Sequence, residues 1–143
     1  DAGLFHTNGF DVTAIDFAES PLRTLQKNYP GIRTLQKDIF ELHETHRESF
    51  DFVLEYTCFC AIDPLRRDEY VDVVHSILKP DGRLIGLFFP LDERPEGPPF
   101  TVRYEDVDRH FSSRFIPLLD EIPEHSVPKR REKERFVIYQ KKH

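Results

Sequence analysis

Short apolar or β-branched runs that close on an acid alternate with segments of helical spacing, and that alternation narrows the chain to one broad architecture. "FDVTAID" (residues 10–16) ends on Asp16, "IRTLQKDI" (32–39) carries Asp38 near its end, and "FDFVLEY" (50–56) ends on Glu55 and Tyr56. Each reads as a strand. The near-continuous apolar character of residues 50–56 predicts burial on both faces, as in parallel sheets. Between the runs, Ser20-Pro21 opens a helix with serine as N-cap and proline in the first turn. Residues 64–78 place Leu65, Tyr70, Val73, Val74, Ile77 and Leu78 near helical spacing. Residues 79–82, "KPDG", form a tight turn before the strand "RLIGLFF". Residues 1–8 read as the tail of a helix stopped at Asn8-Gly9, and residues 41–49 as a charged loop or short helical turn. The order predicts an α/β sandwich around a mostly parallel sheet. "RFIPLLDEI" and "ERFVIYQKK" follow the helix "YEDVDRHFSS" with no helix between them, which predicts a C-terminal antiparallel hairpin at one edge.

Bulk properties exclude several function classes. A length of 143 residues predicts a single domain over 1–143. The net charge of -6 gives no electrostatic reason to expect nucleic acid or an anionic membrane as partner. No apolar run approaches the ~18 residues that would cross a bilayer. Two cysteines are too few for a secreted disulfide framework, so a reducing cytoplasmic setting is the default. A monomer is a separate expectation, to which the cysteines do not speak.

In open α/β sheets, ligands lie at the carboxyl ends of strands, which singles out Asp16, Asp38, Glu55-Tyr56 and Phe89-Pro90. Asp16 is placed to accept from both hydroxyls of a ribose, and Asp38 from an adenine amine, with Ile39 and Phe40 offering the ring an apolar face. The competing reading is that each acid only caps the turn that follows it. The pair Cys58-x-Cys60 lacks the further ligands zinc requires, and residues two apart make a strained disulfide. A pocket wall or core packing remains for both. His43 and His46 have no third ligand in view, so a solvated loop is expected and no metal. "PKRREKER" (128–135) could be a nucleic-acid patch; on an acidic chain it reads better as a solvated turn guarding an edge strand.

"FDVTAIDFAESPL", "KDIF", "FDFVLEYTCFCAIDP", "LKPDGRLI" and "FFPLDERPEGPPF" follow one another in an order that resembles the thiopurine methyltransferase-type family of class I S-adenosylmethionine-dependent methyltransferases. The nearest likeness is to its thiol and halide methyltransferase branch. The resemblance implies a Rossmann-like sandwich and S-adenosyl-L-methionine as methyl donor. Carried over by position, Asp16 and Phe17 bind the ribose side and Asp38 and Ile39 the adenine. Tyr56 lines the cofactor pocket near the sulfonium and is the candidate catalytic residue. Phe59, Phe89 and Phe100 face a small-molecule acceptor, and Cys58 and Cys60 suit the wall of a dry aromatic cavity. Some relatives carry tyrosine where this chain has Phe89. The family's glycine-rich loop after its first strand has no match, since the six glycines are dispersed, so an N-terminally truncated methyltransferase domain is expected. The implied reaction is in-line methyl transfer, with a thiol as leading acceptor and halide tolerated. The alternatives are an oxygen or nitrogen acceptor, or a non-catalytic nucleotide-binding or interaction module.

Overall fold

A computed structural model describes all 143 residues. The chain falls into two compact units, Asp1–Leu42 and His43–His143, and each is described by itself.

The first unit contains α1 (Ala2–Thr7), β1 (Thr13–Asp16), α2 (Glu19–Asn28), β2 (Arg33–Gln36) and a 3-10 turn at Ile39–Glu41. β1 and β2 pair in parallel from Thr13 opposite Arg33 to Asp16 opposite Gln36, so their carboxyl ends lie side by side. Ala18, not Ser20, occupies the N-cap of α2, and its amide donates to Asp16 Oδ1 at 2.9 Å. The first turn of a helix has no intrahelical use for its N–H groups, so Pro21 is tolerated there and the helix starts ahead of it. It stops at Asn28 because Tyr29 precedes Pro30 and is forced toward extended backbone. α1 lies close against Tyr29: a side chain added at Gly3 would fall 2.4 Å from that ring.

The second unit contains α3 (Leu42–Thr45, which straddles the boundary), β3 (Phe50–Tyr56), α4 (Arg67–Ile77), β4 (Leu78–Phe88), α5 (Tyr104–Phe111), β5 (Phe115–Glu121) and β6 (Arg135–Lys141). Its sheet has the order β3-β4-β6-β5, with β3 parallel to β4 and both pairs involving β6 antiparallel. The C-terminal antiparallel pair stands as read from the sequence. The sheet differs from a single parallel one: β1-β2 form a separate two-stranded sheet, and parallel and antiparallel pairs are equally represented. The "KPDG" turn is absorbed into β4 as a wide bulge. β3 advances from Phe50 to Phe52 while β4 advances from Leu78 to Arg83, and Asp81 takes a left-handed φ of 62° there.

Residues alternate along β4 and β6, so Leu84, Phe88, Val137 and Tyr139 face one side. α4 and α5 cover that side with Tyr70, Val74, Val107 and Phe111, and Phe59 joins them from the segment after β3. The expectation that β3 is buried on both faces is corrected: Phe52, Leu54 and Tyr56 are substantially exposed. α4 and α5 sit on the other side, and β3 hydrogen-bonds only to β4.

Two buried polar groups fix this arrangement. Arg135, fully enclosed, donates to Asp120 on β5, to Asp108 at 2.8 Å and to the Tyr104 carbonyl at 2.7 Å on α5. It therefore ties α5 to both strands of the hairpin. Burial works against its charge, but the Asp120 and Asp108 carboxylates outweigh that and raise its pKa further. Glu55 is 2% exposed. One carboxylate oxygen accepts from the amides of Cys58 (3.1 Å) and Phe59 (2.9 Å), and the other accepts from the Tyr70 hydroxyl. Burial pushes the Glu55 pKa up, opposed by these hydrogen bonds, and pushes the Tyr70 phenol well above its usual value.

Arg135→Met is expected to lower stability by about 2–3 kcal/mol in denaturant titration, below the ~3–5 kcal/mol for a fully enclosed pair because Asp108 and Asp120 regain water. A loss under ~0.5 kcal/mol, typical of surface sites, would contradict the anchoring role. For Glu55 the sign follows from linkage. A carboxyl whose pKa is raised on folding holds its proton more tightly when folded, so its contribution to stability declines as pH rises from the ordinary 4.5 through the raised value. Glu55→Gln has no proton to lose. The midpoint difference, variant minus wild type, is therefore expected to grow as pH rises above 4.5, and thermal melts across that range check it. A difference independent of pH would refute it.

Candidate functional site

In the first unit, two acids stand at adjacent strand ends. Asp16 closes β1, and its carbonyl accepts from Lys37 N at 3.2 Å just beyond β2. Asp38 follows on that segment as N-cap of the 3-10 turn, accepting from Phe40 N at 3.0 Å. The capping role weighed for these acids is thus present in both. It engages Oδ1 only, through the Ala18 and Phe40 amides, and leaves the second carboxylate oxygen of each for an outside donor. Ile39 is half-buried beside Asp38, whereas Phe17 is 81% exposed, its carbonyl accepting from Gln36 Nε2 at 3.3 Å.

In the second unit, the parallel pairing of β3 and β4 brings Tyr56 opposite Leu87, so Tyr56 and Phe89 come to the same sheet end. Thr57 then takes a left-handed φ of 60°, a conformation that costs a β-branched residue about 1–3 kcal/mol. The Glu55 carboxylate holds it there by binding the next two amides. The sharp turn separates neighbours: Tyr56 stays at the surface, 39% exposed, while Phe59 enters the core.

Arg130, from the loop before β6, joins Tyr56 and Phe89. Its guanidinium lies 4.4 Å from the Phe89 ring centroid and 5.3 Å from that of Tyr56, and Nη1 donates to the Tyr56 hydroxyl at 2.9 Å. Arg94 approaches the Phe89 ring at 5.5 Å. Main-chain bonds hold the loop after β4 in place: Phe100 N donates to Cys60 O at 2.7 Å, Val102 N to Pro90 O at 2.8 Å and Leu91 N to Lys133 O at 2.9 Å. Phe100, half-buried, is thereby fixed beside the segment after β3.

Of the expected site residues in this unit, Tyr56, Phe89 and Phe100 are at or near the sheet end. Phe59 is not available to a ligand. Its ring is fully enclosed by Tyr70, Phe88, His110 and Phe111, with the Arg67 guanidinium 4.8 Å from its centroid. Cys60 is buried, and burial, then the neighbouring Glu55 charge, pushes its thiol up, so the core reading of the C-x-C pair holds for it. The basic loop is also corrected. Arg130 is drawn onto two aromatic rings instead of being a purely solvated turn residue. Nothing local could have revealed this, because Arg130 and Tyr56 are 74 positions apart.

Comparison with known proteins fits this arrangement. The family model described as thiopurine S-methyltransferase matches residues 12–142. Thiocyanate methyltransferase 1 of Arabidopsis thaliana is 31% identical over 142 residues, covering 91% of this chain and 60% of that protein. Probable thiol methyltransferase 2 of the same plant is 35% identical over 106 residues, covering 73% of this chain and 46% of that protein. The chain thus spans about half the length of these relatives. Among solved structures, a SAM-dependent methyltransferase from Methanosarcina mazei superposes with a TM-score of 0.82 at 16% identity, covering 96% of this chain and 85% of that one. The 1,6-didemethyltoxoflavin-N1-methyltransferase of Burkholderia thailandensis, solved with S-adenosylhomocysteine, gives 0.77 at 21% identity, covering 99% of this chain and 65% of that one. These two establish the Rossmann-like methyltransferase fold. With a family match over nearly its whole length and the strand-end acids in place, the chain belongs to the thiopurine S-methyltransferase family.

Proposed function

We propose that this chain serves S-adenosylmethionine-dependent methyl transfer to a small-molecule acceptor, with a thiol as the leading acceptor and halide tolerated. The observation that carries the reading is that Tyr56, at the carboxyl end of β3, and Phe89, just past that of β4, both lie against the Arg130 guanidinium. The thiocyanate and thiol methyltransferase names of the relatives support it. Asp16 and Asp38 fit the nucleoside, since each retains a carboxylate oxygen that only accepts, as ribose hydroxyls and an adenine amine require. Ile39 offers the ring an apolar contact. Once bound, the cofactor supplies an electrophilic methyl on a cationic sulfur.

The chain's own groups then have to orient the acceptor and keep water out. A thiolate or halide needs no proton removed during attack. The Tyr56 oxygen accepts from Arg130, which leaves the phenol's own proton to orient an incoming anion. Oxygen and nitrogen acceptors would need a base near the methyl. Glu55, the acid next to Tyr56, is 2% exposed with both oxygens engaged, which weighs against them.

Thermal melts with and without S-adenosylhomocysteine test the reading. A ligand-dependent rise in midpoint, lost in Asp16→Ala, is the expected result, since binding to the folded state alone must stabilise it. A cooperative melt indifferent to the ligand would favour the non-catalytic module. In a protein shown to methylate hydrosulfide, Tyr56→Phe is expected to lower kcat/KM by about tenfold, or ~1.4 kcal/mol, as suits an orienting hydroxyl. A loss beyond ~1000-fold would make Tyr56 an obligatory proton carrier instead.

A further inference from the structure

The amino ends of β3 and β4 lie at the opposite end of the sheet from Tyr56, and a cavity of about 660 Å³ opens there. That is the size of a small-molecule site. Arg47 and Glu48 line it from the loop before β3, Asp72, Val73 and Ser76 from α4, and Lys141 from the end of β6. Its rim is held by main-chain bonds. Glu48 N donates to Ser76 O at 3.0 Å, and Ser49 N to Ile77 O at 2.8 Å. Glu48 takes a left-handed φ of 46°, which a residue with a Cβ adopts only when its surroundings hold it there. Lys141 Nζ donates to the next carbonyl, that of Leu78, at 2.7 Å, so the carbonyls of Ser76, Ile77 and Leu78 are all taken.

The charges around the cavity are unevenly matched. Asp72 is paired with Arg114 at 2.9 Å, and Glu69, at the cavity's edge, is gripped by two nitrogens of Arg66 at 2.8 and 2.9 Å. Glu48 is left to two cations. It lies 3.6 Å from Lys141 Nζ, and Arg47 forms no ion pair. Lys141 is only 9% exposed, yet its ammonium meets just one carbonyl and this distant acid. A buried cation without a close counter-charge is unfavourable, and an anion beside it relieves that. Ser76 adds an independent sign: its Oγ is enclosed and has no hydrogen-bond partner, whereas buried hydroxyls normally find one.

We propose that this cavity is a binding site for a small organic oxyanion, a carboxylate or a phosphate monoester. The Lys141 ammonium and the Ser76 hydroxyl are its donors, Arg47 its outer counter-charge and Val73 its apolar contact. A cationic ligand would meet acids already paired and a surplus of positive charge. The site shares no residue with the carboxyl-end arrangement, so it goes beyond the methyl-transfer reading and does not depend on it.

The test follows backbone amide signals of the 15N-labelled 143-residue chain by NMR during titration with sodium benzoate and with phenyl phosphate. Uncharged benzamide, and sodium chloride at matched ionic strength, serve as comparison titrants. The amides of Glu48, Ser49, Ser76 and Lys142 are expected to shift saturably with at least one oxyanion, with a Kd on the order of 1 mM, and to stay still with benzamide. The tighter of the two oxyanions identifies the headgroup. Ser76→Ala is expected to weaken binding about tenfold with no loss of melting midpoint, since its hydroxyl holds no other group in place. Lys141→Met is expected to weaken it further. Should that variant fail to fold, Ser76→Ala alone decides. Lys129→Gln, which removes an exposed positive charge elsewhere, is expected to leave the titration unchanged. The proposal is overturned if neither oxyanion gives a saturable local shift, if benzamide binds as tightly, or if Lys129→Gln weakens binding as much as Ser76→Ala. Shifts confined to the amides of Tyr56 and Arg130 would overturn it as well, by placing the anion at the other end of the sheet.

Discussion

A buried carboxylate decides which way each side chain at the end of β3 points. Glu55 holds the amides of Cys58 and Phe59 on one oxygen and the Tyr70 hydroxyl on the other, so the chain must turn sharply at Thr57. Phe59 is driven into the core formed by α4, α5 and the sheet, and Tyr56 is left at the surface where Phe89 and Arg130 meet it. Without that clamp neither the packing around Phe59 nor the exposure of Tyr56 follows from strand geometry. Removing a charge from water is expensive, and here three donors offset much of that expense.

The elements were legible from the chain because their signals are local. β-branched and aromatic runs gave the strands, and the two final runs without a helix between them gave the antiparallel pair β5-β6. The acids at the ends of β1 and β2 were legible for the same reason, as was the place of Tyr56. What escaped depends on distant partners. Ser20 has a good cap composition, but the Asp16 carboxylate binds the Ala18 amide and starts α2 earlier. The apolar run of β3 reads as doubly buried, yet burial depends on where helices lie, and α4 and α5 lie on one side. Phe59 reads as part of an aromatic pocket because composition cannot tell an inward ring from a wall.

Arg130 is the clearest case. Within its own stretch it is one of several basic residues, and a solvated turn is the natural expectation. The fold makes it different by running β6 antiparallel to β4, which returns the preceding loop to the end where Tyr56 and Phe89 lie. Arg135, a few residues on, anchors that loop's exit through Asp120, Asp108 and Tyr104. One basic stretch therefore contains two arginines with separate duties. The first meets aromatic rings at the surface, and the second holds the hairpin to α5.

The segment that carries Phe100 is stitched to its surroundings by main-chain groups: Phe100 to Cys60, Val102 to Pro90 and Leu91 to Lys133. Bonds of this kind are indifferent to side-chain identity. The path of the segment can therefore persist while the residues displayed along it change, with side chains exchanged over an unaltered frame. Variety in what this end of the sheet displays then needs no rebuilding of the scaffold beneath it.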